Sequence, residues 1–307
     1  MTAIADLTTY LTSLDNPVYR YNGQKTNVGT KRKMRSTWLI AQNAGSAPTT
    51  AVVPSKTTPG VIGAENGQLG EAASLELYVS KMLFDIQGLD DGFMSTRGGY
   101  HWSLMLYDRL SHQGGLDASV TSAQTTNLPT AALTRYTTGD GVMACLECYT
   151  AASGGGTGAT DITVSYTNQA GTSGRTSPAT TMRGTASSSI DNNMALIQGT
   201  LTPLSLQQGD TGVRAVASLT CSATMTTPGS FGITLIKPLA IIPLGHARST
   251  FWMALHQCCN FIKLQSGYAL GATLMQTYTP YVSGTDNNGS QSNTVTHLGM
   301  AMEVAEI

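Results

Sequence analysis

Charged side chains are scarce in this chain. Asp, Glu, Lys and Arg make up 11% of its 307 residues, against about 25% in an average soluble domain. The 17 basic and 18 acidic residues nearly cancel, which leaves a formal net charge of -1. A surface with little charge associates readily, and phosphate binding needs concentrated Lys and Arg. The composition therefore favours a chain covered by neighbouring subunits, a homo-oligomer, and argues against nucleic acid as a partner.

Long apolar runs are also missing. The N-terminal stretch MTAIADLTTYLTSLDNP has no basic region followed by an unbroken apolar segment, because Asp6 interrupts it. The run LAIIPLG, from Leu239 to Gly245, is far too short to span a bilayer. We therefore expect no secretory signal and no membrane partner, and a chain that is made in a cytosol and stays in water.

Cysteines are few, and their spacing fits no disulfide framework. The chain has an odd number of them, five. Cys145 and Cys148 form a CxxC motif inside GVMACLECYT, which has the pattern of a strand. Because residues three apart on a strand point to opposite faces, one metal ion would not easily bind both. The adjacent Cys258 and Cys259 have the same problem, so we predict buried apolar roles and no metal.

Motifs for catalysis or cofactor binding are absent as well. The glycine-rich SGGGTGAT, Ser153 to Thr160, has no following Lys and leads into a strand, so we interpret it as a loop. The histidines show no HxH or HExxH spacing, and no GxSxG occurs. A Ser-His-Asp triad stays open, because such residues meet in space. We predict no catalytic residues and no cofactor.

Two carboxylates are all that a glycosidase needs, so the acidic residues require a separate check. Asp90, Asp91 and Asp108 could supply such a pair, but nothing in the sequence separates them from ordinary surface acids. Asp108 stands beside Arg109. We interpret these two residues as a local ion pair, or Asp108 as a turn cap before Gly114-Gly115.

Threonine, serine and glycine dominate what is present, in alternating patterns typical of strands. In DITVSYTNQ, Asp161 to Gln169, alternation places Ile162, Val164 and Tyr166 on one face and Thr163, Ser165 and Thr167 on the other. This segment and Gly141 to Thr150 flank the glycine-rich loop, which predicts a long hairpin. Further short strands with Gly, Asp and Pro turns follow, so we predict a mainly β fold, an antiparallel β-sandwich or jelly roll.

The N-terminal segment has a different pattern. Apolar residues at helical spacing predict a short amphipathic helix that Asn16-Pro17 ends, with its stripe docked on the main body or on a neighbour. The stripe consists of Ile4, Leu7, Leu11 and Leu14. An Asn-Gly turn at Asn22-Gly23 and an extended arm follow. The arm carries the dense basic run Lys31, Arg32, Lys33 and Arg35. We interpret this run as a solvated arm that contacts an acidic partner surface or phosphate.

The C-terminal segment is ambiguous from the pattern alone. Ala247 to Leu264 fits either a helix or a pair of strands, whereas YALGATLMQTY and THLGMAMEVAEI alternate as strands. A final strand could close a sheet edge on its own subunit or the next. We therefore divide the chain into residues 1–70 (helix, arm and linker), 71–245 (sandwich) and 246–307 (strands that complete the sandwich or form a small lobe).

Isolated arginines mark candidate contacts in the central region. In a sheet coated with Thr and Ser, a lone guanidinium suits a bidentate contact across an interface, although it can also serve solubility. We select Arg135, its neighbour Tyr136, and Arg175 as interface candidates, because Arg beside Tyr is enriched at interface centres.

Three quoted stretches carry a resemblance to a known group of proteins. They are LYDRLSHQGGLDASVTSAQTTNLPTAALTRYTTGDGVMACLECYT, VSYTNQAGTSGRTS and LQQGDTGVRAVASLTCSATMTTPGSFGITLIKPL, with a fainter echo in TWLIAQNAGSAPTTAVVP. Between Leu106 and Leu239 the chain resembles poorly characterised virion proteins of tailed bacteriophages, associated with the head and its decoration. The group's pattern defines no catalytic residues, and the CxxC and the doubled cysteine depart from it.

The resemblance and the composition imply the same class of function. We expect a non-enzymatic bacteriophage structural protein in the virion, a cement, decoration or lattice protein of the capsid. Its expected partners are copies of itself and other virion proteins such as the major capsid protein. The alternatives are a tail, baseplate or fibre adhesin that binds a host surface glycan, and a virion-borne carbohydrate-active enzyme or an unrelated β protein.

Overall fold

The computed structural model describes residues 19–30, 35–38, 53–54, 77–89, 100–126, 133–150, 159–183, 194–195, 200–227, 229–245, 253–258, 262–278 and 293–306. Most of these residues form strands, and none of them lies in a helix. The strands are β1 (Tyr19–Thr30), β2 (Arg35–Trp38), β3 (Leu77–Leu89), β4 (Tyr100–Leu116), β5 (Gln124–Thr125), β6 (Met143–Thr150), β7 (Ala159–Asn168), β8 (Arg175–Thr176), β9 (Thr180–Arg183), β10 (Met194–Ala195), β11 (Thr200–Pro203), β12 (Val213–Cys221), β13 (Ser230–Gly245), β14 (Met253–Cys258), β15 (Ile262–Leu264), β16 (Leu270–Tyr278) and β17 (Asn293–Glu306).

The strands form two open sheets and one closed barrel. One sheet has the order β1-β17-β3-β14, with β15 also paired to β3. The second has the order β10-β9-β7-β12-β5, with β8 also paired to β7. The barrel has the order β11-β2-β16-β4-β13-β6 and closes where β11 pairs with β6. Apart from the parallel pair β9 and β10, the strand pairs are antiparallel, so the prediction of a mainly β, antiparallel fold is confirmed.

The apolar core formed by the described residues has a larger and a smaller part. We call the larger part the outer cluster, because it joins residues on the barrel strands to residues on the six-stranded sheet. Its barrel members include Leu146 and Ile233, and its members from the sheet include Val164, Tyr166 and Val216. The smaller part, the inner cluster, lies on the opposite face of the barrel strands. It comprises Met105, Tyr107, Cys145, Leu201 and Ile236.

Strand β7 shows why the alternating pattern was informative. Ile162, Val164 and Tyr166 are each at most 1% exposed, whereas the threonine and serine positions between them are half-buried. The predicted division of this strand into an apolar and a hydroxylated face is confirmed. β-Branched threonine keeps the extended backbone favourable and presents a polar face without charge.

The predicted hairpin between the segments at 141–150 and 161–169 is wrong. Strand β6 pairs with β11 and β13 in the barrel, whereas β7 pairs with β8, β9 and β12 in the six-stranded sheet. The physical reason lies in burial: β6 is buried on both faces through residues 144–149, while β7 is buried on one face. The chain between them therefore passes from one layer to the other.

The N-terminal predictions have mixed outcomes. The predicted turn at Asn22-Gly23 is wrong, because both residues lie inside β1, opposite Ala301 and Met300 of β17. A ladder along the whole strand overrides the local turn preference of Asn-Gly. Part of the predicted arm and linker is thus strand, β1 and β2. The predicted helix with Ile4, Leu7, Leu11 and Leu14 lies outside the described residues.

Strands occupy the described part of the ambiguous C-terminal segment. β14 and β15 both pair with β3, which confirms the strand alternative there. The final strand, β17, lies between β1 and β3 and so is central in its sheet, not at its edge. Hydrogen bonding also crosses the predicted boundary at residue 246, since β16 pairs with β4. Within the described part of the chain, no helix has the length and apolarity needed to cross a membrane.

Candidate functional site

The sequence-predicted interface residues do not converge on one described surface. Arg35 begins β2, where it stands opposite Met275. Arg135 and Tyr136 lie in the loop before β6, and Arg175 begins β8. Lys31, Arg32 and Lys33, like the predicted helix, fall outside the described residues.

A buried ion pair crosses the inner face of the barrel wall. The Arg109 Nη2 atom of β4 donates to the Glu147 Oε2 atom of β6 over 2.6 Å. The two side chains are 1% and 2% exposed. Arg109 is among the largest fully buried side chains described. A carboxylate buried to this extent requires a partner and hydrogen bonds, and Arg109 supplies both.

A β-bulge in β4 brings a second polar residue to the same face. Ser111 stands opposite Leu235 of β13 and Arg109 stands opposite the next residue, so Leu110 has no register partner. Without this extra residue, positions 109 and 112 would face opposite sides of the sheet. With it, His112 joins Arg109 near Glu147, and the His112 Nδ1 atom lies 3.6 Å from Glu147 Oε2.

Hydroxyl groups complete this inner network. The Thr234 hydroxyl of β13 donates to Glu147 Oε2 at 2.5 Å, and its oxygen is 2.7 Å from His112 Nδ1. The Tyr149 hydroxyl bonds the other ring nitrogen, Nε2. Burial, followed by the Glu147 charge, raises the pKa of nearby Tyr107. Every member is at most 3% exposed. We call Arg109, His112, Glu147, Tyr149 and Thr234 the inner network.

The predicted pair between Asp108 and Arg109 is wrong, because adjacent strand residues point to opposite faces. Asp108 instead accepts two bonds from Arg135, from Nε at 2.8 Å and Nη2 at 3.0 Å, and a third from the Ala269 amide at 2.9 Å. Burial still raises the pKa of Asp108, because the loss of hydration outweighs the Arg135 bonds, which lower it. The cation thus anchors the loop before β6 to β4.

The bidentate bonding predicted for Arg135 does occur, but its acceptor belongs to the same chain. Arg135 is 5% exposed, and it also donates to the Arg109 carbonyl at 3.0 Å. Its guanidinium is therefore occupied within the chain. Its neighbour Tyr136 is half-buried and packs against the outer cluster, with a φ of 50°. Burial raises the pKa of Tyr136 to about 12.

A third carboxylate, Asp210, gathers polar partners at the rim of the outer cluster. Asp210 accepts from the Tyr166 hydroxyl at 2.5 Å, from Asn168 Nδ2 at 2.7 Å and from Arg175 Nε at 3.0 Å. The Tyr166 bond is the main reason that the pKa of Asp210 lies below its usual range. Arg175, an interface candidate, is thus bonded within the chain, although 30% of its side chain is exposed.

One more arginine, Arg214, links the loop before β6 to the loop after β7 by hydrogen bonds. Arg214 donates to the Thr138 carbonyl at 3.1 Å and, through Nη2, to the Gln169 carbonyl at 2.6 Å. The backbones approach so closely at Gly212 that a side chain there would overlap the Gly139 carbonyl. Glycine is required at such an approach.

Fully exposed charges are few on the described part of the chain, and six further charged side chains are partly exposed: Asp117, Asp161, Arg175, Asp210, Arg214 and Lys237. Among charged residues with described side chains, Asp108, Arg109, Arg135 and Glu147 are buried, and Asp140 and Lys263 alone are classed as exposed. The exposed positions of the central region are mainly Thr, Ser, Gly and Ala. A surface of this kind loses little hydration energy when another protein covers it.

The cysteines follow the predicted separation. Cys145 belongs to the inner cluster and Cys148 to the outer cluster, so the two thiols lie on opposite faces of β6. Both are buried, and burial raises the pKa of Cys148 to about 12. In the described part of the chain, no group of three or more His, Cys, Asp or Glu side chains could hold a metal ion.

Comparison with known proteins identified no relative of this chain. No protein-family model, no curated protein and no solved structure matches the chain. Sequence reasoning missed the inner network, because its hydrogen-bonded partners lie 37 to 122 residues apart along the chain. One signal was present: a Glu in the middle of an otherwise apolar strand requires a buried cation.

Proposed function

We propose that this chain is a non-enzymatic structural protein of a bacteriophage virion. It acts as a cement, decoration or lattice protein of the capsid and assembles with copies of itself and with other virion proteins such as the major capsid protein. One observation carries this proposal: the buried charges of the described region bond one another, while its fully exposed positions are mainly uncharged Thr, Ser, Gly and Ala.

The proposed mechanism is burial of uncharged β surface. The half-buried face of β7 carries Thr163, Ser165 and Thr167, and Ile241 on β13 is 59% exposed. Hydroxyl groups can exchange water for a neighbour's backbone groups at small net cost, and the apolar side chain adds area. Many modest contacts of this kind around a symmetric particle become strong together.

The finer architecture belongs to the same proposal. We infer that the barrel wall and the six-stranded sheet form a β-sandwich of jelly-roll type. The support is the outer cluster, which both layers supply with alternate residues. Sandwiches of this kind present flat faces and loop-rich ends, both of which suit lattice contacts.

The location in the virion can be tested by labelling. Antibodies raised against the purified chain are applied to intact phage particles and viewed by electron microscopy with gold label. We expect regular labelling of the head. Particles that lack the chain, by labelling and by mass spectrometry, would overturn the proposal.

An adhesin of the tail, baseplate or fibre is the second candidate. It is favoured by the rigid cluster of polar loops, where Arg214 ties residue Thr138 to residue Gln169, since rigidly held loops commonly carry binding sites. Gold label at the tail, together with retention of the chain on host surface polysaccharide, would select this candidate over the capsid protein.

A further inference from the structure

The two open sheets end differently at their edges. The six-stranded sheet ends in β10 and β5, which have two residues each. The five-stranded sheet ends on one side in β1, which has 12 residues. Short edge strands limit pairing with other chains, whereas a long one offers a row of backbone donors and acceptors.

The backbone of β1 is extended along its whole length. Its register with β17 runs from Tyr19 opposite Val304 to Thr30 opposite Asn293, without a register shift. Among the described strands, β17 is its only partner. In an antiparallel ladder every second residue bonds to each side, so roughly 12 backbone groups of β1 point away from β17. β1 contains no proline, which would block further pairing.

We propose that β1 pairs antiparallel with β1 of a second copy of this chain, across a two-fold axis opposite Gln24. The two five-stranded sheets then become one continuous sheet. An antiparallel strand pair is symmetric about an axis perpendicular to the sheet, and that axis sets one residue opposite its own copy. A strand can therefore serve as its own partner.

Overlap and charge select the register. With Gln24 opposite Gln24, residues 19–29 overlap, and with Lys25 opposite Lys25, residues 20–30 overlap; other axes leave shorter ladders. The second register opposes two lysines, which is unfavourable. The first places Lys25 opposite Gly23 and Arg20 opposite Val28, so no charges are opposed.

The choice of a second copy as the occupant rests on the proposed function, because a lattice or cement protein contacts its own copies. The strand also suits this occupant better than an acidic or a basic partner. It has two charged positions, Arg20 and Lys25. The charge of Arg20 is balanced within the chain, since Arg20 stands opposite Glu303. The other positions of β1 are neutral.

Disulfide trapping tests the register. The full chain carrying Gln24→Cys is compared with the full chain carrying Thr26→Cys, both under mild oxidation, with the parent as background. Opposed residues of an antiparallel pair lie within disulfide reach, whereas residue 26 and its copy are offset by four positions, about 13 Å. We expect most of the Gln24→Cys protein to form a covalent dimer and little of the Thr26→Cys protein. Equal yields would overturn the register.

A charge exchange keeps the proposal testable if the cysteine variant folds poorly. Gln24→Lys and Gln24→Glu should each weaken the dimer by roughly fivefold, because like charges become opposed, and a mixture of the two variants should restore it as a heterodimer. Analytical ultracentrifugation measures all three samples. A parent that stays monomeric would overturn the proposal, and so would variants that dimerise as strongly as the parent.

This test and the labelling of particles can fail separately. A labelled phage head without the β1 crosslink would reject the strand pairing and leave the structural role in place. A crosslinked dimer of a chain that labels no particle would reject the role and leave the pairing in place.

Discussion

The two faces of strand β6 bury different kinds of surface. Toward the six-stranded sheet it presents Ala144, Leu146 and Cys148, which pack in the outer cluster. Toward the barrel interior it presents Cys145, Glu147 and Tyr149, and the last two belong to the inner network. Both faces are dry, but one is held by apolar contact and the other by paired polar groups. We therefore expect the free energy of unfolding to fall in proportion to the apolar volume removed from the outer face. On the inner face we expect it to fall sharply when one member of a bonded pair is removed.

The largest effect should come from removing one partner of the buried ion pair. Arg109→Leu leaves the Glu147 carboxylate buried without its cation, which costs about 3–5 kcal/mol in comparable cases. Urea denaturation should show a lower midpoint or the absence of a folded population. Loss of the charge, not of volume, is the reason.

The double variant Arg109→Leu/Glu147→Leu is the control. It removes both charges together, so we expect it to recover most of the stability. A double variant as unstable as the single one would mean that packing, and not charge pairing, governs the inner face. The contrast between the two faces of β6 would then fail.

An intermediate effect is expected on the outer face. Leu146→Ala removes a side chain that is 1% exposed and leaves a cavity, at a cost of about 2–4 kcal/mol. Thr150→Ala, at the exposed end of the same strand, should change the free energy of unfolding by less than about 0.5 kcal/mol. Thermal and urea unfolding measure both variants, and equal effects would contradict the burial of this face.

A smaller effect tests the hydroxyl that links two members of the inner network. Thr234→Val keeps the shape of the side chain but removes the bonds to Glu147 and His112, which should cost about 1–2 kcal/mol. Thr163→Val, on the half-buried face of β7, is the matched control and should be nearly neutral. If the two variants have the same stability, the polar bonds contribute nothing to the inner face.

Alternation explains what the sequence could predict. The faces of β7 and the separation of Cys145 from Cys148 depend only on which residues share a face, and the spacing of two residues determines that. A strand buried on both faces, such as β6, has no polar face to reveal its neighbours. For this reason its pairing with β11 and β13 was not predicted, and a hairpin was expected.

Long-range pairing explains what was missed. Arg109 meets Glu147 because a bulge at Leu110 and the register of two barrel strands coincide, and a single sequence encodes neither plainly. Arg135 had the predicted bidentate chemistry, but its acceptor lay 27 residues earlier, on β4. The residue types were informative, whereas the identity of each partner came only from the topology.

The smallest effect concerns the polar rim of the outer cluster, where the pKa of Asp210 lies below its usual range chiefly because of the Tyr166 hydroxyl. A lowered folded-state pKa stabilises the protein above the ordinary pKa of Asp, about 3.9, and this contribution is lost as the pH falls through the lower folded value. The stability difference between the parent and Asp210→Asn should therefore be constant from about pH 7 to pH 5 and shrink below about pH 4. Arg175→Gln removes only one of the three partners of Asp210. In a chain that carries Arg175→Gln, the stability lost on Asp210→Asn should therefore be smaller than in the parent. Urea midpoints across this range measure it, and a difference that persists at the lowest pH would show that the Asp210 carboxylate is not held in its charged form by these bonds.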